Sequence, residues 1–153
     1  MAGRDIRRIV AVQPPLEANH RHKKIMPLGL GYLLAMLRRE FPDLELACLD
    51  LQGTGLSLPA AIGELARIQP DAILMSYWTP MAANAYALLD GIRADVPDPP
   101  LLISGGVHPS LFPEEALRHC DYVVLHEGEQ TLVDLLRCLR DGGDPDTVAG
   151  LQF

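Results

Sequence analysis

The chain has 153 residues, of which 48% are hydrophobic and 22% charged, a balance typical of one globular domain with a sizeable core. Its formal net charge of −7 argues against a nucleic-acid partner, because neutralising phosphates requires clustered Lys and Arg. No apolar run approaches the roughly 20 residues that span a bilayer, so no membrane partner is expected. The 3 cysteines form no Cys-x-x-Cys pair, which favours reduced core thiols and a cytoplasmic location.

Apolar runs and helical patterns alternate from the start of the chain. Residues 9–12 form a short run rich in branched side chains and predict a buried strand. Leucines at helical spacing then predict a helix over 28–39, which ends before Pro42. A second strand follows over 44–49, and the next helix is predicted from 59 to 68, with Ser57 as its N-cap and Pro59 in its first turn.

The alternation continues through the second half of the chain. The predicted elements are strand 72–75, helix 82–94, strand 101–103, helix 113–119, strand 122–125 and helix 129–139. Strict alternation of this kind predicts an α/β fold with a parallel sheet and helices on both faces. Five strands joined by right-handed crossovers favour a flavodoxin-like (Rossmann-like) architecture.

The sequence divides into one domain and a short tail. Residues 1–143 carry all the predicted elements, and residues 144–153 are predicted to be a connector toward a missing C-terminal domain. The tail contains a further apolar stretch over 148–153, for which the predicted five-stranded sheet leaves no obvious partner.

Polar and glycine residues stand where two predicted neighbouring strands end. Ser76 follows the third strand, and Gly105 and Gly106 follow the fourth, with His108 just beyond. In an open parallel sheet, ligands bind beyond the carboxyl ends of the strands, so these residues are candidates for ligand contact. Taken singly, Ser76 or the glycine pair is better explained by a tight strand-to-helix turn, and His108 is equally well explained as a partly exposed loop residue; Ser76 and the glycines together favour a ligand site. A hydrolase built on Ser76, His108 and Asp50 is a further alternative, but no spacing selects it.

Specific residues argue against two other functions of this fold class. A phosphoacceptor domain would need an aspartate after the third strand and a lysine after the fifth, where the chain has Ser76 and Glu127. Gly29 and Gly31 begin a dinucleotide-like pattern, but its third glycine position is Leu34. The sequence therefore favours a bound ligand other than a dinucleotide.

At these positions the chain resembles the cobalamin-binding domain that precedes the catalytic domain of many radical S-adenosylmethionine enzymes. The resemblance covers nearly the whole chain in order. It rests on PLGLGYL at 27–33, DAILMS at 71–76, SGGVHP at 104–109, PEE at 113–115 and EGEQTL at 127–132.

The resemblance implies a domain that holds cobalamin across the carboxyl ends of its strands, with the nucleotide tail against the sheet and the corrin ring over the loops. Tyr77 and Trp78 are then candidates to pack against the lower corrin face. Gly106→Trp is expected to abolish binding while leaving the fold intact. The full set of implied cofactor-binding residues is Gly29, Gly31, Ser76, Tyr77, Trp78, Thr79, Gly105, Gly106, His108, Glu127, Gly128 and Thr131.

One motif of the wider cobalamin-binding superfamily is missing. The cobalt-ligating histidine of D-x-H-x-x-G is absent from the loop at 16–23, where His20 and His22 are only weak candidates for the metal. The resemblance implies a radical S-adenosylmethionine domain as partner, in cis or in trans, acting as a methyltransferase or cyclase. The domain alone is not expected to catalyse. The alternative is a flavodoxin-like module for another small ligand or a protein, which has lost cobalamin binding.

Overall fold

The computed structural model describes residues 3–16 and 26–153. Its centre is a sheet in the order β2-β1-β3-β4-β5-β6. The strands are β1 (Arg8–Gln13), β2 (Glu45–Asp50), β3 (Ala72–Ser76), β4 (Leu101–Gly105), β5 (Tyr122–Val124) and β6 (Leu151–Gln152). Neighbours among β1 to β5 are parallel, and β6 is antiparallel to β5. The predicted parallel sheet is confirmed, and the number of strands in the described residues is corrected from five to six.

Helices cover both faces of the sheet, as predicted. The helices are α1 (Leu28–Glu40), α2 (Leu51–Thr54), α3 (Leu58–Ile68), α4 (Ala82–Asp95), α5 (Val107–Leu111), α6 (Pro113–Ala116) and α7 (Gly128–Asp141). The short helices α2 and α5 were not predicted, and α6 is shorter than the predicted helix over 113–119. None of the helices in the described ranges combines the length and apolar character needed to cross a bilayer.

Alternation along the strands divides the interior into two cores. In β1, Val10 and Val12 pack in the core under α3 and α4, whereas Ile9 and Ala11 pack in the core under α1 and α7. All four side chains are fully buried. The central residues of a strand buried on both faces are apolar, which is why residues 9–12 of β1 form a continuous apolar run.

The C-terminal tail pairs with the sheet, contrary to the expectation that the sheet leaves it no partner. Val124 lies opposite Leu151, and the Leu125 amide donates to the Gly150 carbonyl at 2.9 Å. The Thr131 hydroxyl also donates to the Ala149 carbonyl at 3.0 Å. A two-residue strand is too short to leave a period-two signal in the sequence. A further domain beyond the tail stays a prediction.

The three cysteines do not share one environment. Cys120 is buried, Cys138 is half-buried, and Cys48 is exposed on the edge strand β2. The expectation of three core thiols is therefore corrected for Cys48. Burial raises the pKa of the Cys120 thiol, so this group stays protonated near neutral pH.

Two aspartates join neighbouring strands at the amino-terminal edge of the sheet. The Asp71 carboxylate, just before β3, accepts hydrogen bonds from the backbone amides of Arg7 and Arg8 at 2.8 and 2.7 Å. The Asp121 carboxylate, before β5, accepts from the Leu102 amide at 2.8 Å. These bonds align the strands at the edge opposite their carboxyl ends, which stay free for other uses.

Removing the Asp71 carboxylate should destabilise the fold, because two backbone donors lose a charged acceptor. We expect Asp71→Ala to lower the free energy of unfolding by about 1–3 kcal/mol in urea denaturation. Asp71→Asn, which keeps one acceptor oxygen, should recover part of the loss. Asp95→Ala, at an exposed aspartate on the last residue of α4, should change stability by less than about 0.5 kcal/mol. Equal effects at the two positions would contradict the proposed role of Asp71.

Candidate functional site

A groove of about 170 Å³ opens at the carboxyl ends of β3, β4 and β5. Its floor is formed by Leu74, Ile103 and Val124, which all belong to the core under α1 and α7. Its sides are the amino-terminal parts of α1 and α7 together with the N-cap residue of α7, contributed by Gly29, Leu30, Leu33, Glu127, Gly128, Glu129 and Leu132. The groove is thus an apolar slot between two helices above one face of the sheet.

Ser76 is a polar side chain at the upper end of this apolar floor. It follows Leu74 by two positions in β3, so it faces the same side of the sheet, and it lies opposite Gly105 in the ladder. Gly128 allows a close approach on the other side of the groove, because an added Cβ would lie 2.6 Å from Val124 Cγ1. A side chain at Gly128 would push α7 away from β5 and change the width of the groove.

Gly106 is required by the backbone of the turn itself. Its φ is +95°, a region that favours glycine, and an added Cβ would lie 2.8 Å from both Ser76 Oγ and the Tyr77 carbonyl oxygen. Gly106→Trp would therefore distort the turn and the end of β3. The expectation that this substitution leaves the fold intact is wrong, and the change cannot isolate ligand binding.

A second, shallower depression adjoins the groove. Met26, Leu28, Trp78 and Val107, which we call the apolar shelf, line it together with Gln13 and Tyr77. All four shelf residues are exposed, with Leu28 and Val107 each 62% and Trp78 38% accessible. The two depressions share Gly29, Leu30, Ser76 and Gly106, so they form one continuous surface. Contiguous exposed apolar side chains of this kind mark binding surfaces.

The structure brings most of the predicted site residues to this surface. Gly29, Ser76, Gly105, Gly106, Glu127 and Gly128 line the groove, and Tyr77 and Trp78 line the shelf depression. Gly31, Thr79, His108 and Thr131 are not among the lining residues described. His20 and His22 lie outside the described residues.

Several lining residues were not predicted from the sequence. Leu74 and Ile103 could have been found, since by strand alternation they share one face with Ser76 and Gly105, respectively. Val124 reaches the groove through its pairing opposite Gly105, which the sequence does not show. His126 carried no such signal. It lines the groove with a φ of +55°, and its backbone amide donates to Ser110 Oγ at 2.9 Å.

His108 lies behind the shelf and is 5% exposed. Its Nε2 is 3.0 Å from Tyr86 Oη and its Nδ1 is 3.2 Å from Thr79 Oγ1. Glu115 Oε1 lies 3.5 Å from Nε2. Burial, with Tyr77 and Glu115 nearby, raises the pKa of Tyr86, so its hydroxyl keeps the proton that it can donate to His108. The imidazole is therefore satisfied by protein groups.

No group of three or more His, Cys, Asp or Glu side chains in the described ranges could hold a bare metal ion. The groove and shelf offer instead an open apolar groove that continues into an exposed apolar surface.

A comparison with protein families matches residues 18–136 to the family described as the B12 binding domain. The chain belongs to the B12-binding domain family. The match includes both sides of the groove and all four shelf residues, so the described surface falls within the family's domain. Cobalamin is the cofactor of this family.

In a comparison with solved structures, the chain is similar to parts of longer chains. The cobalamin-dependent radical enzyme OxsB, solved with aqua-cobalamin and S-adenosylmethionine, matches with a TM-score of 0.83 and 25% identity over 97% of this chain and 21% of its own. The radical methyltransferase TsrM from Kitasatospora setae, solved with cobalamin and a [4Fe-4S] cluster, has a TM-score of 0.78 and 21% identity over 99% of this chain and 27% of its own.

A cobalamin-binding protein from Desulfitobacterium hafniense DCB-2 matches at a TM-score of 0.64 and 13% identity, over 86% of this chain and 57% of its own. TsrM and this protein, both below 25% identity, support the fold alone. The B12-binding domain described here spans 21% of OxsB and 27% of TsrM. A comparison with curated proteins gives no match.

Gly29 offers a way to block the groove without disturbing the fold. No described atom outside its own helix and neighbours lies within 4 Å of a Cβ added there. We expect Gly29→Trp to fold normally and to weaken cobalamin binding by at least about tenfold in a visible-absorption titration, because the indole would occupy the groove.

Gly63→Trp is the matched control. Gly63 is also an exposed helical glycine without described atoms within 4 Å of an added Cβ, but it lies on α3, which packs on the opposite face of the sheet. Its variant should bind cobalamin like the unmodified chain. If Gly29→Trp bound equally well, the groove would not hold the cofactor.

Proposed function

We propose that this chain is the cobalamin-binding domain of a cobalamin-dependent radical S-adenosylmethionine enzyme. In this proposal the nucleotide tail occupies the groove and the corrin ring lies on the apolar shelf. The observation that carries it is the junction of the two depressions at Gly29, Ser76 and Gly106. A single ligand can then fill both, with its two parts joined at that point.

The groove suits the aromatic base of the tail. Its floor of Leu74, Ile103 and Val124 offers apolar contact to both rings of a fused heterocycle. The Ser76 hydroxyl can donate to or accept from a polar atom at the rim. In this proposal the groove residues would hold the base of the tail, and they would favour cobalamin with its tail displaced.

The shelf suits the lower corrin face. Trp78, in the loop after β3, and Val107, at the start of α5, present exposed apolar groups. A flat macrocycle laid across them would remove both from water. When bound, cobalamin supplies the cobalt-centred chemistry of a methyltransferase or cyclase. The residues of this chain bind and orient the cofactor.

The partner in this proposal is a radical S-adenosylmethionine domain, in cis or in trans. OxsB and TsrM are radical S-adenosylmethionine enzymes whose chains are several times longer than the part that matches here. Leu111 and Phe112 add exposed apolar surface next to the shelf residue Val107. The alternative, a domain that has lost cobalamin binding, is not favoured, because the groove is open and leads onto the shelf.

Binding can be followed through a fluorophore in the site. Trp78 is the only tryptophan of the chain and lines the shelf depression. We expect hydroxocobalamin to quench its emission in a saturable way, and the bound form to show the absorption spectrum of cobalamin with its tail displaced. Absence of any saturable quenching in an equilibrium titration of the full chain would contradict the proposed function.

Cobinamide, the corrinoid without the nucleotide, separates the roles of groove and shelf. It should bind at least about tenfold more weakly than cobalamin, because the tail's buried apolar contact is lost. In Gly29→Trp the difference between the two ligands should disappear. Equal affinities in the unmodified chain would mean that the tail does not occupy the groove.

A further inference from the structure

We propose that His108 is a positioning residue, which holds the apolar shelf in its binding conformation by joining the loop after β3 to helix α5. The inference rests on the proposed function, since it concerns the surface that would carry the corrin ring. His108 does not itself reach that surface among the residues described.

Two bonds from His108 flank Trp78. The His108 backbone amide donates to the Tyr77 carbonyl at 3.2 Å, and Nδ1 lies 3.2 Å from Thr79 Oγ1. The residues before and after Trp78 are thus both tied to one residue of α5. His108 also directly follows Val107, the shelf residue of that helix. The position of Trp78 relative to Val107 therefore depends on His108.

The far side of the imidazole is anchored to the body of the domain. Nε2 contacts Tyr86 Oη on α4, and α4 is held in the core by the fully buried Leu88 and Leu89. The ring of Phe112 lies 5.0 Å from the imidazole centroid. Because one nitrogen faces the rigid helix and the other faces the loop, the side chain transmits the position of α4 to the loop.

Helix α5 also contacts a loop residue that lines the groove. Ser110 Oγ accepts from the backbone amide of His126, in the loop that follows β5. One five-residue helix thus connects the loops after β3 and β5 to its own strand, β4. Such bonds reduce the number of loop conformations before the ligand arrives, and preorganisation of this kind increases affinity.

A buried histidine that merely contributes to packing would affect stability, and it would affect binding only through stability. The two ring nitrogens allow the roles to be separated. An Asn side chain places its amide near the position of Nδ1 and can keep the contact with Thr79. A Gln side chain places its amide near Nε2 and can keep the contact with Tyr86.

The experiment compares His108→Asn with His108→Gln in the full chain, using hydroxocobalamin as the probe. Both variants should lose stability in urea. His108→Gln should bind about tenfold more weakly, the scale of one lost buried hydrogen bond, whereas His108→Asn should bind more tightly than His108→Gln. Without cofactor, Trp78 emission in His108→Gln should shift to the red and its anisotropy should fall, because the loop is released.

Two further variants complete the test. Thr79→Val removes the loop hydroxyl at constant shape and should weaken binding as much as His108→Gln does. The double variant should bind little more weakly than either single variant, since both changes remove the same contact between Thr79 and His108. His119→Gln is the matched control. His119 also contacts Tyr86, with ring centroids 4.1 Å apart, and its Nδ1 pairs with Asp90 at 2.8 Å, but it makes no described contact with the Trp78 loop.

The outcomes distinguish the two claims. If the unmodified chain does not bind hydroxocobalamin, the proposed function fails and this inference fails with it. If the unmodified chain binds hydroxocobalamin, and His108→Gln and Thr79→Val bind it as tightly as the unmodified chain does, only the positioning role is overturned. A loss of affinity that follows stability alone, and that includes His119→Gln, also overturns it. Weaker binding confined to His108→Gln and Thr79→Val, with a changed Trp78 signal, supports it.

Discussion

The pairing of β3 with β4 is the constraint on which the site depends. The two strands are in register from Ala72 opposite Leu101 to Ser76 opposite Gly105, so both end at the same level. Immediately beyond, the Tyr77 amide donates to the Gly105 carbonyl and the His108 amide to the Tyr77 carbonyl. The ladder is thereby extended into the loops. A shift of one residue would turn the side chain of Ser76 to the other face of the sheet, away from the groove.

The fold was largely predictable from the sequence because its signals are local and repeated. Apolar runs marked β1, β3 and β4, and helical spacing marked α1 and α7. The expectations that were wrong concern features that depend on contacts between distant segments. Leu151 and Gln152 become a strand only because β5 offers a free edge. The exposure of Cys48 follows from the position of β2 at the other edge of the sheet. The amino-acid sequence of β2 does not show that it is an edge strand.

The site was predictable at the level of its position but less so at the level of side-chain roles. The rule that ligands bind beyond parallel strands located Ser76 and Gly105. Gly106 is predicted from the sequence only as a candidate for ligand contact; its positive φ and the nearby Tyr77 carbonyl show in addition that the turn needs a glycine there. His108 was expected to face the ligand, whereas its position behind the shelf results from α4 and Tyr86, which lie far away in sequence.

The two kinds of glycine in the site have different evolutionary consequences. Gly106 is needed to fold, whereas Gly29 has open space around it among the described atoms. A descendant of this chain released from selection for its cofactor would be free to acquire a side chain at Gly29 by drift, but not at Gly106. Retention of the glycine pair after β4 would then say little about ligand binding in such a descendant. The residue on α1 would be the more sensitive record of whether the ancestral function persists.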